Sequence, residues 1–416
     1  MRPRRALNPP RRAGSSDAPG RGGRMAGRPS GWRQPGGHPA IRPDRPLTRM
    51  GAPPILVCDL RQPPPENPVD MELEAALRDQ VGQAMGRPVP NAPITKLKGE
   101  ASSRSYYRVG APPESWVVMV MPPDSTKKSD EATKGEPPKE LPFINVHRYL
   151  EKLGVRVPRI LRYDEPAGMM VIEDLSDITF ESALEGGKHH EALYTRAVDL
   201  LARLRAAAEK AEDPDCLAFT RAFDEDLYDW ELHHFREWGL EAWSGKKPTD
   251  AERAELDATF RDIARQLAAA PRGFTHRDYQ SRNIMMKEGE LVVIDFQDAL
   301  QGPRQYDLVA LLRDSYVELD RDFVDAMLDR YIATFQEVSG ERIDAASFKA
   351  FFDLLTIQRK LKDAGRFEFI NRVKGNPGFL VSIPASLRYV RDGFARRPEL
   401  RKLQDLVAKY VPELAA

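Results

Sequence analysis

The sequence predicts an α+β protein of two lobes, with a small β-rich N-terminal lobe at residues 71–175 and a larger helical C-terminal lobe at 176–416. Runs of β-branched and aromatic residues at 105–109 and 116–121 are typical of strands. Beyond residue 176, apolar residues recur with helical spacing, interrupted by one strand-rich segment at 283–294. Because ligands often bind in a cleft between two lobes, this architecture predicts a ligand site.

Residues 1–70 are predicted to lie outside both lobes. They hold thirteen Arg, no Lys and five acidic residues, with fifteen of the 35 Pro and nine of the 28 Gly. Such a composition buries too little apolar surface to offset the entropy of ordering the chain. We therefore interpret 1–70 as a disordered Arg/Pro/Gly-rich tail or a non-native extension, with Met25, Met50 and Met71 as alternative first residues. Arg can neutralise phosphates, but the interleaved Pro and Gly and the scarcity of aromatic rings argue against a nucleic-acid partner.

The composition excludes several other classes of protein. The formal net charge of zero averages a tail of +8 and a remainder of −8, so it describes no single surface. No stretch reaches the roughly 18 consecutive apolar residues of a membrane span, and the run at 55–57 is too short for a signal peptide. Cys58 and Cys216 are the only cysteines, which excludes a disulfide framework and a cysteine-rich metal site. We expect a cytoplasmic protein without a membrane partner; the oligomeric state is not determined.

The N-terminal lobe is predicted to begin with a helix capped by Asp70. Apolar residues recur at every fourth position from Leu73 to Met85, and Gly86 ends the pattern. The other elements predicted in this lobe, besides the two strands, are a turn at 110–113, a polar surface loop at 122–139, a helix at about 140–153 and a buried strand at 169–172.

The C-terminal lobe is predicted to be helical apart from one β-hairpin. The hairpin consists of strands at 283–286 and 291–294, joined by a turn at 287–290. Apolar spacing predicts helices near 189–211, 220–242, 250–269, 305–317, 321–338, 344–371, 379–395 and 398–411.

Two charged motifs flank the hairpin. His276, Arg277 and Asp278, followed by Asn283, fit the pattern H-R-D-x-x-x-x-N, and Asp295 begins a D-F pair twelve residues after Asn283. Phosphoryl transfer requires an oriented hydroxyl and neutralised phosphate charge. Asp278 lies on a loop, where it can accept the hydroxyl proton. The hairpin brings Asn283 and Asp295 together, and oxygen ligands of this kind suit Mg²⁺.

Each of these residues alone also has a structural interpretation, since Asp and Asn are common in turns and caps. Together, however, the motifs make the chain resemble the aminoglycoside phosphotransferase/choline kinase family, which has a protein-kinase-like fold, over about residues 71–410. More narrowly, it is similar to the bacterial anomeric kinases that phosphorylate N-acetylmuramate and N-acetylglucosamine at the C1 hydroxyl in cell-wall recycling. The narrower similarity also rests on the stretches at 101–108, 118–123, 295–299, 302–308 and 358–362.

The resemblance implies ATP as the phosphoryl donor, Mg²⁺ as the cofactor and a small-molecule sugar as the substrate. The roles that it implies are catalysis for Asp278, metal binding for Asn283 and Asp295, and support of the catalytic loop for His276 and Asp307.

The nucleotide site is predicted from two further segments. Adenine is expected to bind the backbone of residues 173–175, so that Glu173 and Leu175 belong to this site. In place of a glycine-rich phosphate loop, the turn at 98–104 offers backbone N–H groups and the side chains of Ser102, Ser103 and Arg104. The alternative for this segment is a plain hairpin turn.

One departure from the general kinase pattern affects the phosphate site. The strand that should carry a phosphate-binding Lys is hydrophobic at 117–121, and the helix that should carry its Glu partner offers Asn145. Loss of both is self-consistent, because an unpaired buried Glu would be costly. It also leaves open a nucleotide-binding pseudokinase without catalytic activity.

The acceptor side is predicted from residues that suit a sugar. Glu231, His234 and Trp238 fall on one face of a helix, where aromatic rings stack on sugars and carboxylates bind hydroxyl groups; the alternative is an ordinary core stripe. Arg282 could pair with an acceptor carboxylate or with ATP phosphate. Arg359 and Lys362 either join this site or form a solvated helix face. A further alternative keeps the phosphotransferase but changes the acceptor to an aminoglycoside, choline or another small alcohol.

Overall fold

An antiparallel sheet of five strands lies at the centre of the N-terminal lobe. Its strands are β1 (Ile94–Leu97), β2 (Ser105–Ala111), β3 (Glu114–Val120), β4 (Ile160–Asp164) and β5 (Met169–Glu173), in the order β1-β2-β3-β5-β4. Helices α1 (Met71–Met85) and α2 (Pro142–Lys152) pack on its two faces. Val118 of the central strand β3 packs with α1, whereas Val117 and Met119 pack with α2. Because both faces are covered, the strand is a continuous apolar run rather than an alternating one.

The structure is a computed structural model that describes residues 71–97, 104–122, 138–185 and 190–416. The tail predicted at 1–70 therefore lies outside the described residues. So do most of the phosphate loop predicted at 98–104 and most of the surface loop predicted at 122–139.

The C-terminal lobe is built from helices and two short strand pairs. Its helices are α3 (Phe180–Leu184), α4 (His190–Lys210), α5 (Glu225–His234), α6 (Asp250–Ala268), α7 (Tyr306–Leu312), α8 (Arg321–Ser339), α9 (Ala345–Lys374), α10 (Ile383–Arg396) and α11 (Arg401–Ala408). Its strands are β6 (Arg272–Thr275), β7 (Ile284–Lys287), β8 (Glu290–Val293) and β9 (Leu300–Pro303).

Helix α9 runs through the middle of this lobe. Residues 352–365 are all buried, since α7, α10 and neighbouring segments cover the helix on every side. The buried stretch includes the charged residues Arg359, Lys360 and Asp363. Buried charges persist where they are paired, so this stretch must hold specific polar contacts.

A π-helical segment at Phe235–Ala242 continues α5 and packs closely on α9. The approach is possible because the contact point on α9 is Gly365: a Cβ there would lie 2.8 Å from the Cα of Phe235. π-Helical turns often mark places where a helix adapts to a functional or packing constraint. Here the segment brings the α5 side of the lobe against the centre of α9.

The bilobal α+β arrangement predicted from the sequence is confirmed, with corrections to individual elements. β1, β4, β6, β9 and α3 were not predicted. The helix predicted at 220–242 begins only at Glu225, because the Asp224 carboxylate caps it by accepting the N–H of Leu227 (2.8 Å). The helix predicted at 305–317 already ends at Leu312. Within the described part of the chain, no helix has the length and apolarity of a membrane span.

Candidate active site

Two strand pairs bring the two charged motifs side by side. β6 pairs with β9, and β7 pairs with β8. The loop at 276–283 joins β6 to β7, and the loop at 294–299 joins β8 to β9, so both loops span the same gap between the strand pairs. A backbone hydrogen bond from the N–H of Ile294 to the carbonyl of Asn283 (3.0 Å) holds them together.

Asp307, on α7, supports the loop at 276–283 through its backbone. Its two carboxylate oxygens accept the N–H groups of His276 (2.7 Å) and Arg277 (2.9 Å). All three side chains are buried. Hydrogen bonds from backbone N–H groups to a carboxylate are among the stronger ones in proteins, so α7 fixes the start of this loop.

His276 is held as a neutral ring. Burial lowers the pKa of its imidazole. Its Nε2 lies 2.9 Å from the carbonyl oxygen of Ile294, which can only accept, so Nε2 carries the proton. Nδ1 is then an acceptor, and the N–H of Asp278 donates to it (3.3 Å). The ring therefore connects the two loops and orients the backbone of Asp278.

The carboxylate of Asp278 lies at the mouth of the site, with 34% of its side chain exposed. Burial alone would raise its pKa, but the positive charges of Arg359, Arg277 and Lys362 outweigh this effect and the pKa is lowered. Arg359 is the charged residue in contact with it, at 3.3 Å from Oδ1. Asp278 is therefore ionised near neutral pH and is able to accept a proton.

Asn283 and Asp295 lie together beside Asp278. The amide nitrogen of Asn283 donates to the carbonyl of Asp278 (2.9 Å) and lies 3.4 Å from Oδ2 of Asp295. Gln297 donates to the other carboxylate oxygen of Asp295 (2.7 Å). Asp295 is exposed, yet the protein around its carboxyl partly desolvates it and raises its pKa, and the carboxylates of Asp278 and Asp298 add to the increase.

This donor set fits a divalent cation that retains other ligands. A bound cation would relieve the repulsion between closely spaced carboxylates. The amide nitrogen of Asn283 is already hydrogen-bonded, so its amide oxygen is the atom left to bind a metal. Among the residues that the structure describes, no three His, Cys, Asp or Glu side chains converge on one point. Mg²⁺ suits such a site, because it is commonly bound by one or two protein oxygens together with phosphate and water.

Both motifs include a residue with left-handed backbone. Arg277 has φ of 80° and Asp295 has φ of 63°. This conformation costs non-glycine residues about 1–3 kcal/mol each and persists only where neighbouring contacts impose it. At Arg277 those contacts are visible, since its N–H is bound by Asp307 and its carbonyl by Arg359. Of the four non-glycine residues with positive φ in the described part of the chain, one precedes the predicted catalytic Asp278 and one is the predicted metal ligand Asp295 itself.

The predicted adenine segment is braced from the N-terminal lobe. Glu173 accepts hydrogen bonds from Arg156 (2.5 Å) and from the backbone N–H of Arg159 (3.2 Å). Asp174 accepts from Arg108 (2.7 Å) and Ser115 (2.6 Å). The acidic side chains are thus turned into the lobe, and the N–H of Glu173 donates to the carbonyl of Arg159 (2.9 Å).

An apolar cluster continues this segment into the C-terminal lobe. Leu175 packs with Met285, Val292 and Ile294, separately from the main core. Apolar side chains beside a fixed backbone are the arrangement that binds a flat heteroaromatic ring.

The predicted phosphate loop is described only at its end. Ser102 and Ser103 lie outside the described residues. Arg104 lies immediately before β2. Its positive charge is close enough to Asp295 to offset part of the increase in the pKa of that carboxyl. In the strand expected to carry a Lys, Met119 is fully buried. Asn145, at the place of the Glu partner, links α2 to the segment that follows α4. Its side chain donates to the carbonyl of Asp215 (2.9 Å) and accepts the N–H of Leu217 (2.7 Å).

The structure separates the three predicted acceptor residues of the α5 region. Glu231 is completely buried and accepts a hydrogen bond from Gln358 (2.7 Å), so in this conformation it offers no surface to a sugar. Its prediction as a sugar contact is not supported, because the helix face that carries it packs against α9. His234 and Trp238 are half-buried and belong to an aromatic cluster that includes Phe369.

The basic residues predicted near the acceptor have different surroundings. Arg282 binds Glu181 through two nitrogens, at 2.8 and 3.1 Å, and its guanidinium lies over the ring of Tyr316. Arg359 and Lys362 do not form a solvated helix face, since both are buried. The contact between Arg359 and Asp278 was not predicted. No local sequence pattern indicates this contact, although Arg359, Lys360 and Lys362 place three basic residues close together on one helix.

The chain is similar in sequence to known phosphotransferases. The model of the phosphotransferase enzyme family matches residues 93–340. The N-acetylmuramate/N-acetylglucosamine kinase of Pseudomonas aeruginosa is 34% identical over 77% of this chain and 89% of its own length. The protein of the same name from Neisseria meningitidis is 31% identical over 76% of this chain and 90% of its own length.

Solved structures of low sequence identity share the fold. The choline kinase LicA from Streptococcus pneumoniae has 15% identity and a TM-score of 0.51, over 78% of this chain and 99% of its own. The ADP-bound aminoglycoside phosphotransferase APH(2'')-Ib has 15% identity and a TM-score of 0.50, over the same shares. The chain therefore belongs to the phosphotransferase enzyme family and is an ATP-dependent kinase with a bilobal protein-kinase-like fold.

Proposed function

We propose that the protein transfers the γ-phosphoryl group of ATP to the anomeric hydroxyl, at C1, of N-acetylmuramate and N-acetylglucosamine. Two relatives named as kinases of these sugars, with 34% and 31% identity over about nine-tenths of their own length, support this acceptor. We further propose that it acts in the cytoplasm, where ATP is available, on sugars released in cell-wall recycling.

The observation that carries the proposal is the ionised carboxylate of Asp278 beside Asn283 and Asp295. In our proposal Asp278 orients the C1 hydroxyl and accepts its proton as the oxygen attacks phosphorus. General-base catalysis of this kind contributes roughly 10²–10⁴-fold to the rate. Asn283 and Asp295 would hold Mg²⁺, which supplies neutralisation of the phosphate charge when bound. His276 and Asp307 keep the loop at 276–283 in place.

The N-terminal lobe, 71–175 in our proposal, would bind the nucleotide. The adenine would bind the backbone of Glu173–Leu175 and rest on the apolar cluster that includes Leu175. Arg104, with Ser102 and Ser103, would contact the phosphates and take the place of the missing Lys. Residues 1–70 would not be required.

The acceptor would lie against the lobe at 176–416, where a sugar has two kinds of partner. His234 and Trp238 present aromatic surface on which a sugar ring can stack. Arg282 would bind the carboxylate of N-acetylmuramate in our proposal. To do so, this carboxylate must displace Glu181 from the guanidinium. We do not assign Glu231 to the acceptor, because it is buried.

An ADP-release assay with several acceptors tests the proposal. We expect turnover with N-acetylmuramate and N-acetylglucosamine, no turnover with their C1 methyl glycosides, and little with glucose, choline or kanamycin. Turnover that survives C1 blocking would contradict an anomeric kinase, and preference for choline or kanamycin would indicate the alternative acceptors. Nucleotide binding without turnover on any acceptor would indicate a pseudokinase. Asp278→Asn serves as the control, because it should lower kcat by roughly 10²–10⁴-fold and retain ATP binding.

A further inference from the structure

Arg359 is a fully buried arginine whose hydrogen bonds go to the loop at 276–283. One terminal nitrogen donates to the carbonyl of Arg277 (2.9 Å), and the other lies 3.3 Å from Oδ1 of Asp278. Its guanidinium packs over the ring of Tyr306 at 4.7 Å, which adds a cation–π contact on the side of α7. The rigid fork of one side chain thus holds two consecutive residues of the loop.

The neighbours of Arg359 are paired differently. Lys360 is also fully buried, and it pairs with Asp363 on the same helix (2.7 Å). Gln358 pairs with the buried Glu231 (2.7 Å). Arg359 instead makes its ion pair with Asp278, whose side chain is one-third exposed, although the carboxylates of Asp363 and Glu231 also help to raise the pKa of its guanidinium.

We propose that Arg359 is a positioning residue for the kinase reaction, which fixes Oδ1 of Asp278 so that Oδ2 is presented to the acceptor hydroxyl. The inference rests on the proposed function, because it gives Asp278 the role of proton acceptor. Arg359 acts through Asp278 and the Arg277 carbonyl, without touching substrate. Its second contact, to the backbone, maintains the left-handed conformation of Arg277 from the side opposite Asp307.

Substitution of Arg359 should separate kcat from KM. With Arg359→Met we expect kcat to fall about 100-fold, the size of effect that a displacement of about 1 Å produces, while KM for ATP and for the sugar stays within about twofold. Arg359→Lys keeps a charge but reaches only one of the two acceptors, so its kcat should lie between those of Arg359→Met and the wild type. The control is Arg321→Met. It removes another largely buried ion pair, between Arg321 at the start of α8 and Asp353 on α9, which does not involve the loop at 276–283.

A double-mutant cycle identifies the route of the effect. If Arg359 acts through Asp278, adding Arg359→Met to Asp278→Asn should lower the residual kcat by less than about threefold. With an active wild-type enzyme, the inference is overturned if Arg359→Met retains the kcat of the Arg321→Met control. It is also overturned if the reductions in kcat caused by Arg359→Met and Asp278→Asn multiply in full in the double mutant. An inactive wild type with every acceptor overturns the proposed function instead, and the inference falls with it.

Discussion

Replacement of Asp307 by Asn tests whether α7 holds the loop at 276–283 in its strained form. Asp307 accepts two backbone N–H groups, from His276 at 2.7 Å and from Arg277 at 2.9 Å. The amide retains one acceptor oxygen but turns an NH₂ group toward the second N–H. One charge-assisted hydrogen bond, about 1.5–3 kcal/mol, is lost, and a buried donor without a partner costs about 1–3 kcal/mol. Since part of this is recovered by relaxation, we expect the free energy of unfolding to fall by about 2–4 kcal/mol.

The same substitution should lower activity more than its effect on folding explains. Without both bonds, Arg277 can leave its left-handed conformation and carry Asp278 with it, and a shift of about 1 Å reduces kcat by about 10²-fold. Urea denaturation measures the loss of stability, and ADP release from fully folded enzyme at low temperature measures the loss of kcat. Asp320→Asn is a matched control, because Asp320 accepts the N–H of Phe323 as a helix cap, where Asn serves equally well. Wild-type kcat in Asp307→Asn would refute our view that α7 maintains the strain.

Three further substitutions address packing, the nucleotide and the metal. Gly365→Ala places a Cβ 2.8 Å from the Cα of Phe235 and should lower the free energy of unfolding by about 1–3 kcal/mol in urea denaturation; unchanged stability would mean that α9 and the π-helical segment separate easily. Arg108→Ala removes the main cation beside Asp174 and should raise KM for ATP about tenfold with the sugar KM unchanged, whereas an effect on the sugar alone would contradict our nucleotide site. Asp295→Asn should raise the Mg²⁺ concentration needed for half-maximal activity by at least about tenfold, and an unchanged Mg²⁺ dependence would exclude it as a ligand.

The parts of the site that follow from local spacing were predictable from the sequence. A two-strand hairpin must bring the residues just before its first strand close to the residues just after its second strand. The proximity of Asn283 and Asp295 therefore required only that the hairpin be recognised. The helices with long apolar periodicity, such as α6 and α8, were predictable for a similar reason.

Contacts between distant segments were not predictable in this way. Arg359 and Asp278 are separated by 81 residues, and nothing in either local pattern indicates that they meet. The helical spacing of Glu231 and Trp238 correctly predicted a shared helix but not that Glu231 would turn toward α9. The edge strand β1 was missed because its four residues, Ile-Thr-Lys-Leu, are few and do not alternate between polar and apolar types.

The contacts that hold Asp278 and those that hold the predicted nucleotide segment belong to different lobes, so substitutions in the two lobes should affect activity differently. Asp278 is held by Asp307 through the backbone of residues 276 and 277, and by Arg359 directly. All of these residues belong to the C-terminal lobe, so these contacts of Asp278, our proposed proton acceptor, involve no residue of the five-stranded sheet. The sheet supplies the braced segment at 173–175 and Arg104. Substitutions in the sheet should therefore alter KM for ATP first, whereas substitutions in α7 or α9 should alter kcat first, and a uniform effect on both from either lobe would contradict this division.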